Sequence, residues 1–204
     1  MKNPIFNLTP FYISLFAILF IVASRTSFSQ EINPPKGFYD SLWVSPSGDM
    51  ALFMYSRCNF FPTILGGEKP VLTAGSLPSH HNNDDNPWDD SDLYFIYKNN
   101  AGVWSAPINM PTNDHKADCC AMIAEHELFL QKETDLYLAE YKNNKWSAAL
   151  KLLINSPAID SNPHFDKETQ TLYWASNRSG NFDIWQSSRN QKTHLWSPAK
   201  KVPG

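Results

Sequence analysis

From residue 38 onward the chain alternates short apolar runs with polar turns, and it does so three times. "SLWVSPSGDMALFMYSR" follows Asp40, "CCAMIAEHELFLQKE" follows Asp118 and "SNPHFDKETQTLYWASNR" follows Asp160. Each stretch reads as a strand, a tight turn and a second apolar strand, because "SPSGD", "AEHE" and "DKETQ" are rich in residues that close hairpins. A third predicted strand opens at an Asp followed by an aliphatic and an aromatic residue: Asp92-Leu93-Tyr94, Asp135-Leu136-Tyr137 and Asp183-Ile184-Trp185. A fourth is predicted at Trp104-Ser105, Trp146-Ser147 and Trp196-Ser197. The Asp markers lie 43 and 48 residues apart and the Trp markers 42 and 50. Two markers that shift together define a repeat.

Four-stranded units of roughly 40–50 residues, each unable to bury both faces alone, are the signature of β-propeller blades. The predicted fold is therefore all-β, with about three blades over residues 38–112, 113–156 and 157–204 and a long insertion at 59–91 in the first. Asp92, Asp135 and Asp183 are expected to accept backbone N–H bonds in the turn that launches the third strand. Trp104, Trp146 and Trp196 are expected to pack against a neighbouring blade. Closed propellers need at least about four blades, so three make an incomplete or open propeller. Three arrangements compete: a piece of a longer propeller, association with another copy through the open ends, and a short open stack capped by loops.

The third copy, "NPHFDKETQTLYWASNRSGNFDIWQSSRNQKTHLWSPAKKV", resembles the TolB-type, WD-repeat-like β-propeller repeats of bacterial exported proteins nearly throughout. The first copy keeps "LFMYSR", "DLYF" and "WSAP" but is interrupted, and the middle copy lacks the "SNRSG" segment. The resemblance spans residues 38–204 and implies a fold rather than an activity, because such repeats serve many functions.

The first thirty residues follow a different pattern. Lys2 precedes an apolar run from Phe11 to Ala23, and Ser27 and Ser29 stand at a spacing that suits cleavage before Gln30 or Glu31. The run matches a signal-peptide core and is short for a bilayer span. Residues 1–30 are thus expected to be a signal peptide and the mature protein periplasmic or secreted, with no stable membrane span after cleavage; the alternative is an N-terminal membrane anchor. Export permits disulfides, and the cysteines are Cys58 and the adjacent Cys119 and Cys120. Neighbours in a strand face opposite ways, so at most one of the pair could reach Cys58. Free thiols and a Cys58 bridge both stay open, and three cysteines match no zinc pattern.

Composition narrows the function. A formal charge of −3 with 42% hydrophobic residues describes an ordinary folded domain, and scattered Lys and Arg offer no nucleic-acid footprint. The predicted rim carrying the insertion and the blade-to-blade links holds the ligand candidates: Arg57, Arg178, Asp40, Asp118 and Asp160. The arginines would line a site for an anion or pair with those aspartates. His80, His81, Asp84, Asp85, Asp89 and Asp90 within the insertion follow no calcium-loop spacing, and adjacent histidines chelate poorly, so a solvated loop is expected there. No G-x-S-x-G elbow occurs, and nothing singles out a glycosidase acid and base. The expectation is a non-catalytic module without cofactor or metal that binds or scaffolds a protein or cell-envelope component. The alternative is a partial copy of a carbohydrate-active or other hydrolytic propeller.

Overall fold

The computed structural model describes residues 36–67, 71–72, 77–78 and 91–203. Residues 1–30, expected to be a signal peptide, and the His80–Asp90 stretch lie outside the described residues. Among the described residues the chain is all-β apart from one short helix, with antiparallel sheets of which none closes on itself.

The first sheet takes the order β1-β2-β5-β6, from Phe38–Val44, Met50–Ser56, Asp92–Tyr97 and Ile108–Asn109. Between β2 and β5 the insertion forms β3 (Cys58–Asn59), α1 (Phe61–Gly66) and β4 (Val71–Leu72), with β3 paired to β4. The insertion is thus partly built rather than a plain loop, and its anchor is Phe60, fully buried and edge-on to Phe38 at 5.2 Å. The second sheet runs β7 (Asp118–Ala124), β8 (Glu127–Lys132) and β9 (Asp135–Lys142), with β10 (Lys145–Trp146) and β11 (Leu150–Lys151) both on β9. The third follows as β12 (Asp160–Asp166), β13 (Thr171–Ser176), β14 (Asp183–Ser188) and β15 (Lys200–Lys201).

The three sheets share one register. Asp92 pairs with Tyr55, Asp135 with Lys132 and Asp183 with Ser176, so each Asp marker starts its third strand level with the end of the second. Every first strand also carries a β-bulge, after Asp40, Cys119 and Ser161. The residue that follows has a left-handed backbone in all three: Ser41 (φ 56), Cys120 (φ 53) and Asn162 (φ 53). Non-glycine residues rarely adopt this conformation, so its recurrence is a property of the unit.

In the first and third sheets the closing strand lies beyond Trp-Ser rather than at it, whereas in the second Trp146 is itself paired in β10. Trp104 and Trp196 make single bridges to Lys98 and Arg189, and regular pairing resumes only at Ile108 and Lys200. Pro107 and Pro198 stand between, and a proline has no N–H to give a ladder. The serine of the motif spans the gap: Ser105, Ser147 and Ser197 Oγ accept the N–H of Tyr97, Glu140 and Ser188 at 3.0–3.2 Å.

Two cores separate the sheets. Leu52, Met54, Leu93, Leu128 and Leu130 fill the first interface, and Phe129, Leu136, Phe165, Leu172 and Trp174 the second. Burying side chains of this size contributes about 1.5–3 kcal/mol each. Trp146 and Trp196 pack into these interfaces, Trp196 edge-on to Phe129 at 6.4 Å; Trp104 instead lies under Lys98. Backbone bonds join consecutive sheets at equivalent places, Asp118 N–H donating to Ser91 O and Asp160 N–H to Thr134 O. Arg189 clamps the outer ends of the second interface, donating to both carboxylate oxygens of Glu127 at 2.5 and 2.8 Å.

The first and third sheets end differently. The free face of the first carries a third cluster, Phe53, Tyr55 and Tyr94 with Tyr39, and the insertion covers it at Leu77 and Pro78. Tyr55 hydroxyl donates to Lys36 O and accepts Leu77 N–H, while Tyr94 hydroxyl donates to Pro78 O. The Tyr55 ring leaves no room beside Gly37, where a Cβ would fall 2.1 Å from the ring edge. On the third sheet Ile184 is exposed, as are Phe182 and Leu195 in its loops.

Candidate functional site

The three bulges converge on one cavity of about 860 Å³. Its walls include Asp40 and Ser41 from β1, Cys119 and Cys120 from β7, and Ser161 and Asn162 from β12. Ser91, Thr134 and Glu133, at the turns before the third strands, complete the rim together with Ala117 and Ile159 from the links into the first strands. Hydrogen bonds tie the walls across sheets: Ser41 Oγ lies 3.2 Å from Cys120 Sγ, and Gln131 Oε1 accepts Asn162 N–H at 3.3 Å. The lining mixes hydrogen-bonding side chains with apolar ones such as Met54, Ala117 and Ile159, and its charged groups among the described residues are the acids Asp40 and Glu133. Asp40 accepts Ser41 N–H at 2.7 Å and Glu133 accepts Lys116 Nζ at 2.6 Å.

The candidate aspartates do not share one position. Pairing sets Asp118 opposite Lys132 and Asp160 opposite Ser176, while the level residue of the first sheet is Tyr39, opposite Tyr55. Asp40 stands one residue further on, exposed at the cavity rim, where its repeat equivalents are Cys119 and Ser161. The sequence alignment of the three aspartates is therefore corrected by one residue. The aromatic cluster accounts for the exchange, because the Tyr39 ring packs on Phe53 and Tyr55 at 5.6 and 5.3 Å, a contact that a carboxylate could not make. Burial there pushes the Tyr39 hydroxyl up to about 12.

Asp160 is fully buried and saturated. It accepts Arg178 Nη2 at 2.5 Å, Trp174 Nε1 at 2.9 Å, and Ser156 N–H and Oγ at 2.6 and 2.8 Å. Burial opposes its ionisation, but the Arg178 guanidinium and the Ser156 bonds outweigh it and hold the carboxyl below the usual range. Arg178 also donates to Ile154 O and Ser176 Oγ and lies over the Trp174 and Trp185 rings. It points into its own sheet and does not line the cavity. Arg57 stands level with Arg178 by strand register, half-buried after β2, and is likewise absent from the lining. The arginines therefore do not make this cavity basic.

Asp118 is buried as completely but held more loosely. Lys132 Nζ lies 3.1 Å from Oδ1, and Asp114 N–H donates to Oδ2 at 3.3 Å. Lys132 divides its charge, donating also to Asp114 at 2.8 Å and to Thr112 O at 3.2 Å. Burial pushes the Asp118 carboxyl up from 3.8 to about 7 against the lowering pull of Lys132. Lys132 itself is disfavoured by burial but is raised by Asp114 and Asp118 together.

Each Asp marker clasps the closing strand of its sheet. Asn109 Nδ2 donates to Asp92, Lys151 Nζ to Asp135 and Lys201 Nζ to Asp183, at 2.7–2.9 Å. For Asp135 and Asp183 the expected backbone donors are replaced by these side chains. The sequence reading missed Asn113 and Asn155, which bond both the N–H and the carbonyl of Leu93 and Leu136 like an extra strand residue. Their recurrence 20 and 19 residues after those leucines was the available signal. It also missed the cavity residues Gln131, Ser161 and Asn162, which no local motif marks. Cys58 is buried, Cys119 and Cys120 are half-buried, and none of the three is in a disulfide. Compared with known proteins, the chain matches no family model and no curated protein.

Proposed function

We propose that this is an exported, non-catalytic binding module. The three sheets act as blades of an open β-propeller arc, and the cavity at their bulged first strands receives a polar segment of a protein or cell-envelope partner. The observation that carries this reading is the commitment of the buried carboxylates. Asp118 and Asp160 spend their bonds on groups of their own sheets and the adjoining links, which suits anchors of the fold rather than an acid and base poised for substrate. What faces the cavity is a mixture of hydrogen-bonding and apolar side chains, with Asp40 and the Lys116-paired Glu133 as acids on its rim. Such a rim favours a cation-bearing partner group. Export rests on Lys2 and the apolar run after it, and self-association on the exposed apolar side chains of the third sheet and its loops.

The test reverses the rim charge. Asp40 and Glu133 are both exposed, so Asp40→Arg and Glu133→Arg lose only the surface bonds to Ser41 N–H and Lys116 and lower thermal stability by no more than about 1 kcal/mol each. Together they reduce retention of the partner from an envelope extract at least tenfold. Full retention by the double variant contradicts the reading. So does turnover on a polysaccharide panel that Asp118→Asn abolishes without moving Tm.

A further inference from the structure

Cys119 and Cys120 are consecutive residues of β7, and consecutive side chains of a regular strand project to opposite faces. Their sulfurs nevertheless lie 3.1 Å apart. The cause is the bulge, where the left-handed backbone of Cys120 (φ 53) turns its side chain back beside that of Cys119. The fold imposes this juxtaposition. At the level position of the third sheet, Asn162 Nδ2 donates to the neighbouring Ser161 Oγ at 3.3 Å. In the first sheet Ser41 N–H donates to the carboxylate of Asp40 at 2.7 Å. The middle sheet places two thiols there, and both residues line the cavity. Cys58, in contrast, is packed into the core between the first and second sheets at 3% exposure.

We infer that Cys119 and Cys120 form an oxidisable vicinal dithiol, a redox modification site in the cavity wall that closes to a disulfide ring by exchange with a low-molecular-weight disulfide. Cys120 is the attacking sulfur. The Cys119 S–H turned toward the Cys120 thiolate draws Cys120 below its usual pKa and lifts Cys119, and Ser41 Oγ, 3.2 Å from Cys120 Sγ, can donate a second bond to that thiolate. The Cys120 thiolate attacks one sulfur of the small disulfide, whose S–S bond breaks and releases one thiolate. Cys119 then loses its proton and attacks Cys120 Sγ, expelling the second thiolate. The protein thiols give up two electrons and two protons, and the small disulfide is reduced to two thiols. Adjacent Cα atoms are held about 3.8 Å apart by a trans peptide, short of the usual disulfide span of about 4.4–6.8 Å. The ring is therefore strained, and strained disulfides are the readily reduced, labile kind. This site is independent of what the cavity binds.

Trypsin reports the site directly, because residues 117–132 carry both cysteines with Lys132 the only Lys or Arg among them and Lys116 just before. The native full chain is equilibrated in glutathione buffers of graded oxidation, acid-quenched, alkylated under denaturing conditions and digested. The 117–132 peptide is expected to lose two hydrogens and take up no alkyl group in oxidising buffer, to revert with dithiothreitol, and to leave Cys58 alkylated throughout. A stable glutathione adduct as end product, a crosslink to the Cys58 peptide, or two alkylated cysteines at every buffer ratio overturns the inference. A trivalent arsenical should protect both thiols together from alkylation in the reduced native protein; protection of neither also overturns it.

Discussion

Asp118 and Asp160 occupy one position in two sheets and solve its electrostatics differently. Both are fully buried at the start of a first strand, and both donate their N–H to the preceding sheet. Asp160 has one arginine Nη2, an indole N–H and two bonds from Ser156. Asp118 shares one lysine with Asp114. The charge-assisted bonds of the third sheet hold its carboxyl low, while burial prevails in the second and holds the carboxyl high. In the first sheet the position has lost its charge altogether, to Tyr39 in an aromatic cluster. The position takes a fully bonded carboxylate, a loosely held one or a half-buried phenol, and this tolerance of different chemistry is the mark of architecture.

Breaking the stronger of the two solutions should have the largest effect. Asp160→Ala strands the Arg178 guanidinium and the Trp174 N–H, and loss of one partner of a buried pair costs about 3–5 kcal/mol. Thermal unfolding followed by circular dichroism should show Tm falling by about 10 °C. Arg189→Ala removes the fork on Glu127 and the cation over Phe165 and Trp196. It should cost roughly 2 kcal/mol, read as a lower midpoint in urea. The smallest effect on stability belongs to the uncovered end. Ile184→Lys should leave Tm within about 1 °C while shifting any dimer seen by analytical ultracentrifugation to monomer. An unchanged dimer would place association elsewhere.

Much of this frame was legible in the sequence because its markers are chemically distinctive. Asp before an apolar run and Trp-Ser after it phased all three units, and the strand register places the Asp markers level. The cavity was not legible. Its geometry depends on a left-handed residue in each first strand, and Ser41, Cys120 and Asn162 carry no glycine to announce it. Only Asn tolerates that conformation well; at Ser41 and Cys120 the tertiary context imposes it. The same bulge misled the alignment at Asp40, because a nearby aspartate stood one residue from the position that Tyr39 fills. It also reversed the expectation that Cys119 and Cys120 diverge.

The most direct test of the central claim, that these carboxylates are structural and differ only in how they are held, is the stability of wild type, Asp118→Asn and Asp160→Asn between pH 4 and 8. Asp160 has a depressed pKa, so its stabilisation is fully present above the unfolded value near 3.8 and is lost only as pH falls lower. The gap between wild type and Asp160→Asn should therefore be large and flat across this range. Asp118 is raised to about 7, so its contribution is greatest near pH 4 and declines as pH rises toward 7. A rise of that size is worth roughly 4 kcal/mol. The wild-type advantage over Asp118→Asn should shrink by an amount of that order between pH 4 and 7. Parallel curves for all three proteins, or an Asp160→Asn variant as stable as wild type, would contradict the account.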